Sequence, residues 1–163
     1  EDDPTLPLPA RRSGNALPDG THLAEFQIRA AVGEGGFGIV YMAWDDVLKR
    51  QVAIKEYMPW SLAARVGRRV VPNADSTAET FALGLHSFIN EAQLLASFDH
   101  PSLLKVYRFW EDNGTAYMVM PLYDGLTLLD TLRNAASAPS EALLMALLGP
   151  LTEALLVLSA DHG

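Results

Sequence analysis

The sequence contains no cysteine among its 163 residues. This absence excludes a disulfide framework, a thiolate zinc site and a cysteine nucleophile. Positive charge is also scarce, because 12 lysines and arginines stand against 20 aspartates and glutamates, which gives a net charge of −8. Nucleic-acid-binding domains are usually basic, so we expect no nucleic-acid partner. His100 has no second histidine or cysteine at ligand spacing, and we predict no metal site within the chain.

Apolar residues are plentiful enough for a folded core, since 49% of the chain is hydrophobic and 20% is charged. Its length fits one domain or a large piece of one. Residues 1–20 contain four prolines and read as a flexible tail. The chain begins at Glu1 rather than methionine and shows no secretory signal, so we interpret it as a fragment of a cytoplasmic protein.

A glycine-rich stretch from Gly33 to Val40 organises the rest of the sequence. Gly33, Gly35 and Gly38 have G-x-G-x-x-G spacing, which several nucleotide folds and many ordinary turns share. A dinucleotide-binding fold requires a helix directly after the glycines, but residues 39–44 are β-branched and aromatic, which favours a strand. A Walker-type loop requires Gly-Lys-Ser/Thr, which is absent here. The remaining interpretation is a β-hairpin whose backbone N–H groups contact a phosphate tail.

Alternating apolar residues predict three consecutive strands at about 25–32, 39–45 and 50–57. Lys55 lies in the third strand, on the same face as Ala53 and Tyr57. Since a lysine rarely points inward unless its charge is paired, we expect it to have an acidic partner. A surface lysine at a strand end is the alternative.

A helix is predicted to follow, with a capping box formed by Ser76 and Glu79 and a start near Thr77. Gly84 is expected to interrupt this helix before its principal segment, about residues 87–98.

The position of Glu91 on this helix indicates its partner. Phe88, Glu91, Leu95 and Phe98 fall on one helical face, which predicts a buried carboxylate. Burying an unpaired carboxylate costs roughly several kcal/mol of folding free energy, so we predict an ion pair with Lys55. The alternative is a rotated helix with Glu91 exposed.

The second half of the chain begins with a predicted hairpin. Its strands are expected at 103–110 and 116–120, with an Asn-Gly turn between them. Two helices are predicted after it, at 127–134 and from a Ser140 cap to about residue 159.

These motifs together resemble a protein kinase. The glycine loop matches G-x-G-x-x-G-x-V, and Val52-Ala53-Ile54-Lys55 matches the V-A-I-K strand. Glu91, His100-Pro101 and a hinge-like strand follow in the family's order. The resemblance implies an α+β fold: an N-lobe with a five-stranded antiparallel sheet and a regulatory helix, followed by the hinge and two C-lobe helices. Its expected bounds are 21–120 for the N-lobe and 121–163 for the remainder.

The resemblance also implies an ATP site and its residues. Lys55 and Glu91 would be the catalytic pair, in which Lys55 holds the α- and β-phosphates. In this reading Met120 is the gatekeeper, Pro121 and Tyr123 contact adenine through the backbone, and Asp124 reaches the ribose or simply forms a turn. The other residues expected to bind the nucleotide are Val32, Gly33, Gly35, Gly36, Phe37, Gly38, Val40 and Ala53.

Residues 58–80 form an insertion relative to most kinases, and we expect a small hairpin there. Lys55-Glu56-Tyr57-Met58-Pro59 is similar to a turn found in a subgroup of bacterial serine/threonine kinases of the Hanks (eukaryotic-like) type, with Met58 in place of an aromatic residue. Arg65, Arg68 and Arg69 are open to two readings, a solvated cluster or a site for an acidic partner or phosphate.

Two catalytic motifs of the family are missing from this sequence, His-Arg-Asp and Asp-Phe-Gly. Phosphoryl transfer needs these segments for the catalytic aspartate and for the Mg²⁺ ligands. We therefore interpret the chain as the ATP-binding part of a serine/threonine protein kinase, inactive alone, whose full-length parent uses ATP and Mg²⁺ and acts on a protein substrate. A pseudokinase-like regulatory or interaction module is the alternative.

Residues 142–160 are apolar enough to raise the question of a membrane span. Glu153 and Gly149-Pro150 favour a buried core helix instead, although the parent protein would be free to carry an anchor elsewhere.

We predict self-association of the isolated chain through residues 142–158, because a core helix without its neighbours exposes a large apolar surface. Light scattering tests this, and a monomer at high protein concentration would contradict it.

Overall fold

The computed structural model describes residues 14–135 and 138–160. The predicted tail therefore lies outside the described residues up to position 13. By contacts the described chain divides into two units, one comprising residues 14–97 and 105–122, the other residues 98–104 and 123–160.

The first unit is built on a six-stranded antiparallel sheet with the order β1-β2-β3-β4-β8-β7, beside a separate two-stranded hairpin, β5-β6. The apolar residues of these strands pack against one another, and the central strands β4 and β8 are buried at five of eight and six of seven positions. The strand bounds are β1 His22–Leu23, β2 Phe26–Gly35, β3 Gly38–Asp45, β4 Arg50–Tyr57, β5 Ala63–Val66, β6 Arg69–Pro72, β7 Arg108–Asp112 and β8 Thr115–Pro121.

The main sheet has six strands, one more than the five that were expected. The additional strand, β1, pairs with the start of β2 after a tight turn in which Ala24 has a φ of 51°. A strand of two residues carries no alternation that a sequence pattern would reveal.

The strand predicted at 103–110 begins later, at Arg108. The Leu103 N–H donates to the His100 carbonyl in a turn, so this part of the chain is not extended in the sheet. The predicted Asn-Gly turn is confirmed: Asn113 and Gly114 have φ values of 54° and 72°, as a two-residue type I′ hairpin requires.

The strand register separates the sheet into two faces. Val40 pairs with Lys55, and Ala53 pairs with Met120, which places these four residues on one face. The intervening residues, among them Glu56, point to the opposite face. We call the first the lysine face and the second the glutamate face.

The predicted hairpin within residues 58–80 is present as β5-β6. It docks on the turn between β7 and β8, where the Val70 N–H donates to the Asn113 carbonyl over 2.8 Å. A Cβ on Gly114 would lie 2.6 Å from the Val70 carbonyl oxygen. Glycine at this position thus serves the left-handed turn and the close approach of the hairpin together.

An ion pair fastens the hairpin to the glutamate face. Arg65 of β5 and Glu56 of β4 lie 2.5 Å apart, with side chains 4% and 0% exposed. The expectation that Arg65 is solvated or receives an external phosphate was wrong, since its guanidinium is already neutralised inside the protein. Burial alone would lower the pKa of Arg65, but the hydrogen bond and charge of Glu56 outweigh it and raise this pKa.

Two tyrosines complete the polar cluster around Glu56. The Tyr41 hydroxyl donates to the Glu56 carboxylate over 2.7 Å and accepts from the Leu17 N–H over 3.0 Å. Tyr117 lies beside the same carboxylate. Burial, followed by the negative charge of Glu56, raises the pKa of both tyrosines, so both phenols keep their protons at neutral pH.

Helix α1, Asp75–Ser97, packs against the lysine face through Phe81, Phe88 and Ala92. Its start differs from the prediction, because the Thr77 hydroxyl bonds the backbone of Ala74 in place of a Ser76–Glu79 capping box. The helix also continues through Gly84 without interruption.

The second unit contains the two predicted helices, α2 Leu128–Asn134 and α3 Glu141–Ala160. The predicted Ser140 cap is confirmed, since its hydroxyl accepts from the Leu143 N–H over 3.2 Å. Helix α3 is long and apolar enough to cross a membrane by length and composition, and most of its large apolar side chains are exposed.

Replacing Arg65 with alanine is expected to lower the free energy of unfolding by roughly 3–5 kcal/mol, because the buried Glu56 carboxylate would lose its counter-charge. Urea denaturation measures this. Arg69→Ala, at an exposed position of the same hairpin, is the control and should stay within about 0.5 kcal/mol of the parent. Adding Glu56→Gln to Arg65→Ala should recover part of the loss, and no recovery would contradict the assignment.

Candidate functional site

The glycine-rich stretch forms the turn between β2 and β3. Gly35 pairs with Gly38, and Gly36 and Phe37 make the turn itself. A Cβ on Gly35 or Gly36 would meet no atom within 4 Å, so the backbone here is open to an approaching group. The Phe37 side chain is 81% exposed. The backbone of this turn therefore has room for a ligand to approach closely.

Gly38 has a different reason to be glycine. A Cβ there would collide with the carbonyl oxygen of Glu56 on the adjacent strand. The Met58 N–H also donates to the Phe37 carbonyl over 3.3 Å. The tip of the glycine turn is therefore held against the end of β4, the strand that carries Lys55.

The lysine face provides an apolar surface beside this turn. Val40, Ala53 and Met120 share that face by register, and Ala53 and Met120 are 6% and 7% exposed. Val32 lies at an irregularity of the β2–β3 pairing, between the paired residues Ala31 and Gly33. The expected adenine-contacting residues of the sheet are thus close to one another in the fold.

The predicted ion pair between Lys55 and Glu91 is present, with Nζ and Oε1 3.3 Å apart. The Lys55 Nζ also lies 5.3 Å from the centre of the Phe88 ring. The expectation that Glu91 is buried was wrong, because its side chain is 49% exposed and that of Lys55 is 30% exposed. Ala92, the next residue, occupies the buried position of the helix instead.

A cavity of about 530 Å³ opens between the glycine turn, β4 and α1. It has a cation and a carboxylate on one part of its wall and aromatic rings on another. The residues that define it include Gly36, Phe37, Lys55, Tyr57, Phe88 and Glu91. Such a cavity accommodates a ligand with both an anionic and an apolar part.

The expected hinge residues fall at the boundary of the two units. Pro121 is the last residue of β8, opposite Val52. Tyr123 and Asp124 belong to the second unit, where both are exposed. Their roles in nucleotide binding stay predictions.

Sequence reasoning missed two features that support the site, the Glu56–Arg65 pair and the contact of Tyr57 with α1. A signal for the first existed: alternation in β4 places Glu56 on the face of Ile54, where a lone carboxylate requires a partner. A signal for the second was Gly84, which was interpreted as a helix break rather than as a place where another side chain fits.

Comparison with known proteins identifies the family. The profile described as "Protein kinase domain" matches residues 26–159, which is most of the chain. This chain belongs to the protein kinase family.

The relatives that it matches are bacterial serine/threonine protein kinases. The chain is 34% identical over 122 residues to PksC of Streptomyces coelicolor, a match that covers 72% of this chain and 18% of PksC. It is 32% identical over 119 residues to PrkC of Bacillus subtilis, covering 72% of this chain and 16% of PrkC. The chain thus spans less than a fifth of the length of these two kinases.

Solved structures agree with this assignment. The apo form of PpkA-294 is 52% identical, with a TM-score of 0.72, over 74% of this chain and 43% of that chain. The PknI kinase domain of M. tuberculosis has a TM-score of 0.65 over 86% of this chain and 49% of that chain, and at 20% identity it shows the likeness of fold alone. The predicted kinase-like α+β fold is confirmed, and the chain spans about half the length of these kinase structures.

Replacing Glu91 with glutamine is expected to change the free energy of unfolding by less than about 1 kcal/mol, because both members of the pair are accessible to water. Chemical denaturation measures this. A loss of several kcal/mol would show that the pair is a structural requirement of the fold rather than a feature of the site.

Proposed function

We propose that this chain forms the nucleotide-binding portion of an ATP-dependent serine/threonine protein kinase. The observation that carries the proposal is the ion pair of Lys55 and Glu91 beside the glycine turn. Its lysine lies on the same sheet face as Val40, Ala53 and Met120. One face of the sheet therefore combines an apolar region with a positioned cation.

The residues present fit ATP. The apolar surface formed by Val40, Ala53 and Met120 suits a purine ring, and the open backbone at Gly35 and Gly36 suits phosphate oxygens. We propose that Val32, Gly33, Gly38 and Phe37 complete this lid. Bound ATP supplies the γ-phosphoryl group of the reaction.

The chain's own residues position the nucleotide and stabilise its charge. Lys55 lines the same cavity as Gly36 and Phe37 of the glycine turn, and it would bind the α- and β-phosphates. Glu91 accepts a hydrogen bond from Lys55 and so holds the ammonium group in place. The backbone carbonyl of Pro121 and the N–H of Tyr123 would contact the base, and Asp124 the ribose.

Transfer to a protein serine or threonine needs groups that this sequence does not contain. Neither His-Arg-Asp nor Asp-Phe-Gly occurs in it, so we propose that the 163-residue chain is inactive alone. The catalytic base and the Mg²⁺ ligands would come from the rest of a full-length kinase, whose site of action we propose to be the cytoplasm. We also propose that the exposed apolar residues of α3 mediate self-association of the isolated chain.

A kinase assay on the full-length protein tests the proposal. Lys55→Met is expected to lower phosphoryl transfer by at least about a hundredfold, because it removes a preorganised charge from the phosphate site. Lys49→Met is the matched control, since Lys49 is exposed in the β3–β4 turn and should leave transfer unchanged.

The outcomes separate the two functional classes. Transfer that depends on Lys55 supports the kinase. Full-length protein that shows no transfer, yet gains thermal stability from an ATP analogue only when Lys55 is present, would instead support the pseudokinase-like module. An equal thermal shift in the parent and in Lys55→Met would contradict the assigned phosphate contact.

A further inference from the structure

Tyr57 and Lys55 lie two residues apart on the lysine face of β4, so both side chains point toward α1. Gly84 and Glu91 lie seven residues apart in α1, which places them two turns apart on the same helical face. Strand and helix therefore meet at two points, Tyr57 with Gly84 and Lys55 with Glu91.

The first of these contacts is extensive. The Tyr57 ring is 4% exposed and packs between two aromatic rings of α1, with centroid distances of 5.2 Å to Phe81 and 5.9 Å to Phe88. Its hydroxyl donates to the Phe81 carbonyl over 3.2 Å. Aromatic pairs of this kind stabilise a structure beyond the contribution of their buried area.

Gly84 is the point where the ring reaches the helix backbone. A Cβ on Gly84 would overlap the Tyr57 hydroxyl oxygen and lie 3.0 Å from Cζ. Glycine inside a helix is less favourable than alanine, so local helix stability does not explain why glycine occupies position 84. The glycine is explained instead by the space that the Tyr57 side chain occupies.

The second contact is too weak to position the helix by itself. Lys55 and Glu91 are both partly exposed, and ion pairs in that setting contribute little to stability. The separation of Lys55 and Glu91 therefore depends on packing elsewhere along α1, and the contacts of Tyr57 with this helix are part of that packing. At Gly84 the Tyr57 hydroxyl leaves no room for a Cβ, so α1 could not carry a larger residue there without moving away from β4.

We propose that Tyr57 is a positioning residue that sets the distance between α1 and β4 through its fit against Gly84, and thereby keeps Glu91 within reach of Lys55. This inference rests on the proposed function, because its consequence is the placement of the lysine that binds phosphate. It assigns Gly84 a positioning role that acts through Tyr57 and Glu91.

The test is a rescue experiment on the full-length kinase. Gly84→Ala is expected to lower kcat/KM for ATP on the order of tenfold to a hundredfold, since a shift of about 1 Å in a positioned group has effects of that size. Helix propensity alone predicts the opposite, a stabilised helix. His86→Ala, at an exposed position one half-turn further along α1, is the control and should retain the parent rate.

Tyr57→Phe removes the oxygen that the new methyl group would strike. We therefore expect Tyr57→Phe to recover at least about half of the logarithmic loss when combined with Gly84→Ala, a non-additive result of the kind expected for residues in contact. In a Lys55→Met background, Gly84→Ala should cause no further loss. A structural defect unrelated to the lysine would lower the rate again in that background.

Failure of this inference differs from failure of the proposed function. If the parent shows no Lys55-dependent transfer, the proposed function is wrong. If transfer depends on Lys55 but Gly84→Ala retains the parent rate, or if Tyr57→Phe does not rescue it, the positioning role of Tyr57 is overturned while the kinase assignment stands.

Discussion

The negative charge of Glu56 imposes the strongest constraint on this structure. A carboxylate without solvent access is tolerated only with a counter-charge and hydrogen bonds, and these come from distant parts of the chain. Arg65 reaches it from the hairpin, and Tyr41 donates to it from the neighbouring strand. The N–H of Leu17 joins through Tyr41. The hairpin therefore supplies the counter-charge for a buried carboxylate of the sheet and is part of the folded core.

Because side chains alternate along β4, its two charged residues form ion pairs on opposite faces of the sheet. Glu56 and Arg65 form a pair sealed from water, whereas Lys55 and Glu91 form a pair that water and a ligand can both reach. Removing one member of a buried pair leaves a costly charge, while an exposed pair contributes little to folding. The fold thus depends on the buried ion pair of the glutamate face, whereas the ion pair of Lys55 and Glu91 is accessible from solvent. Tyr57 connects the two requirements, because it belongs to the same strand and packs on the helix that carries Glu91.

Much of the architecture was predictable because its signals are local. The strands around the glycine turn, the Asn113-Gly114 turn and the partner of Lys55 all follow from alternation, turn chemistry or helical spacing. What escaped prediction depends on tertiary contacts. Arg65 seemed a surface residue because its partner is nine positions away on another strand. Gly84 resembled a helix break because the ring that fills the space above it is distant in sequence.

The alternation of Lys55, Glu56 and Tyr57 also limits how the chain length can vary during evolution. Insertion or deletion of one residue within β4 would exchange its two faces. A lysine would then face Arg65, and a carboxylate would enter the cavity beside the glycine turn. A single insertion or deletion would thus bring like charges together on one face and reverse the charge of the cavity on the other. Length variation is far less damaging in the turn at 46–49, because that turn lies outside the sheet and a change there does not shift which face each strand residue points to.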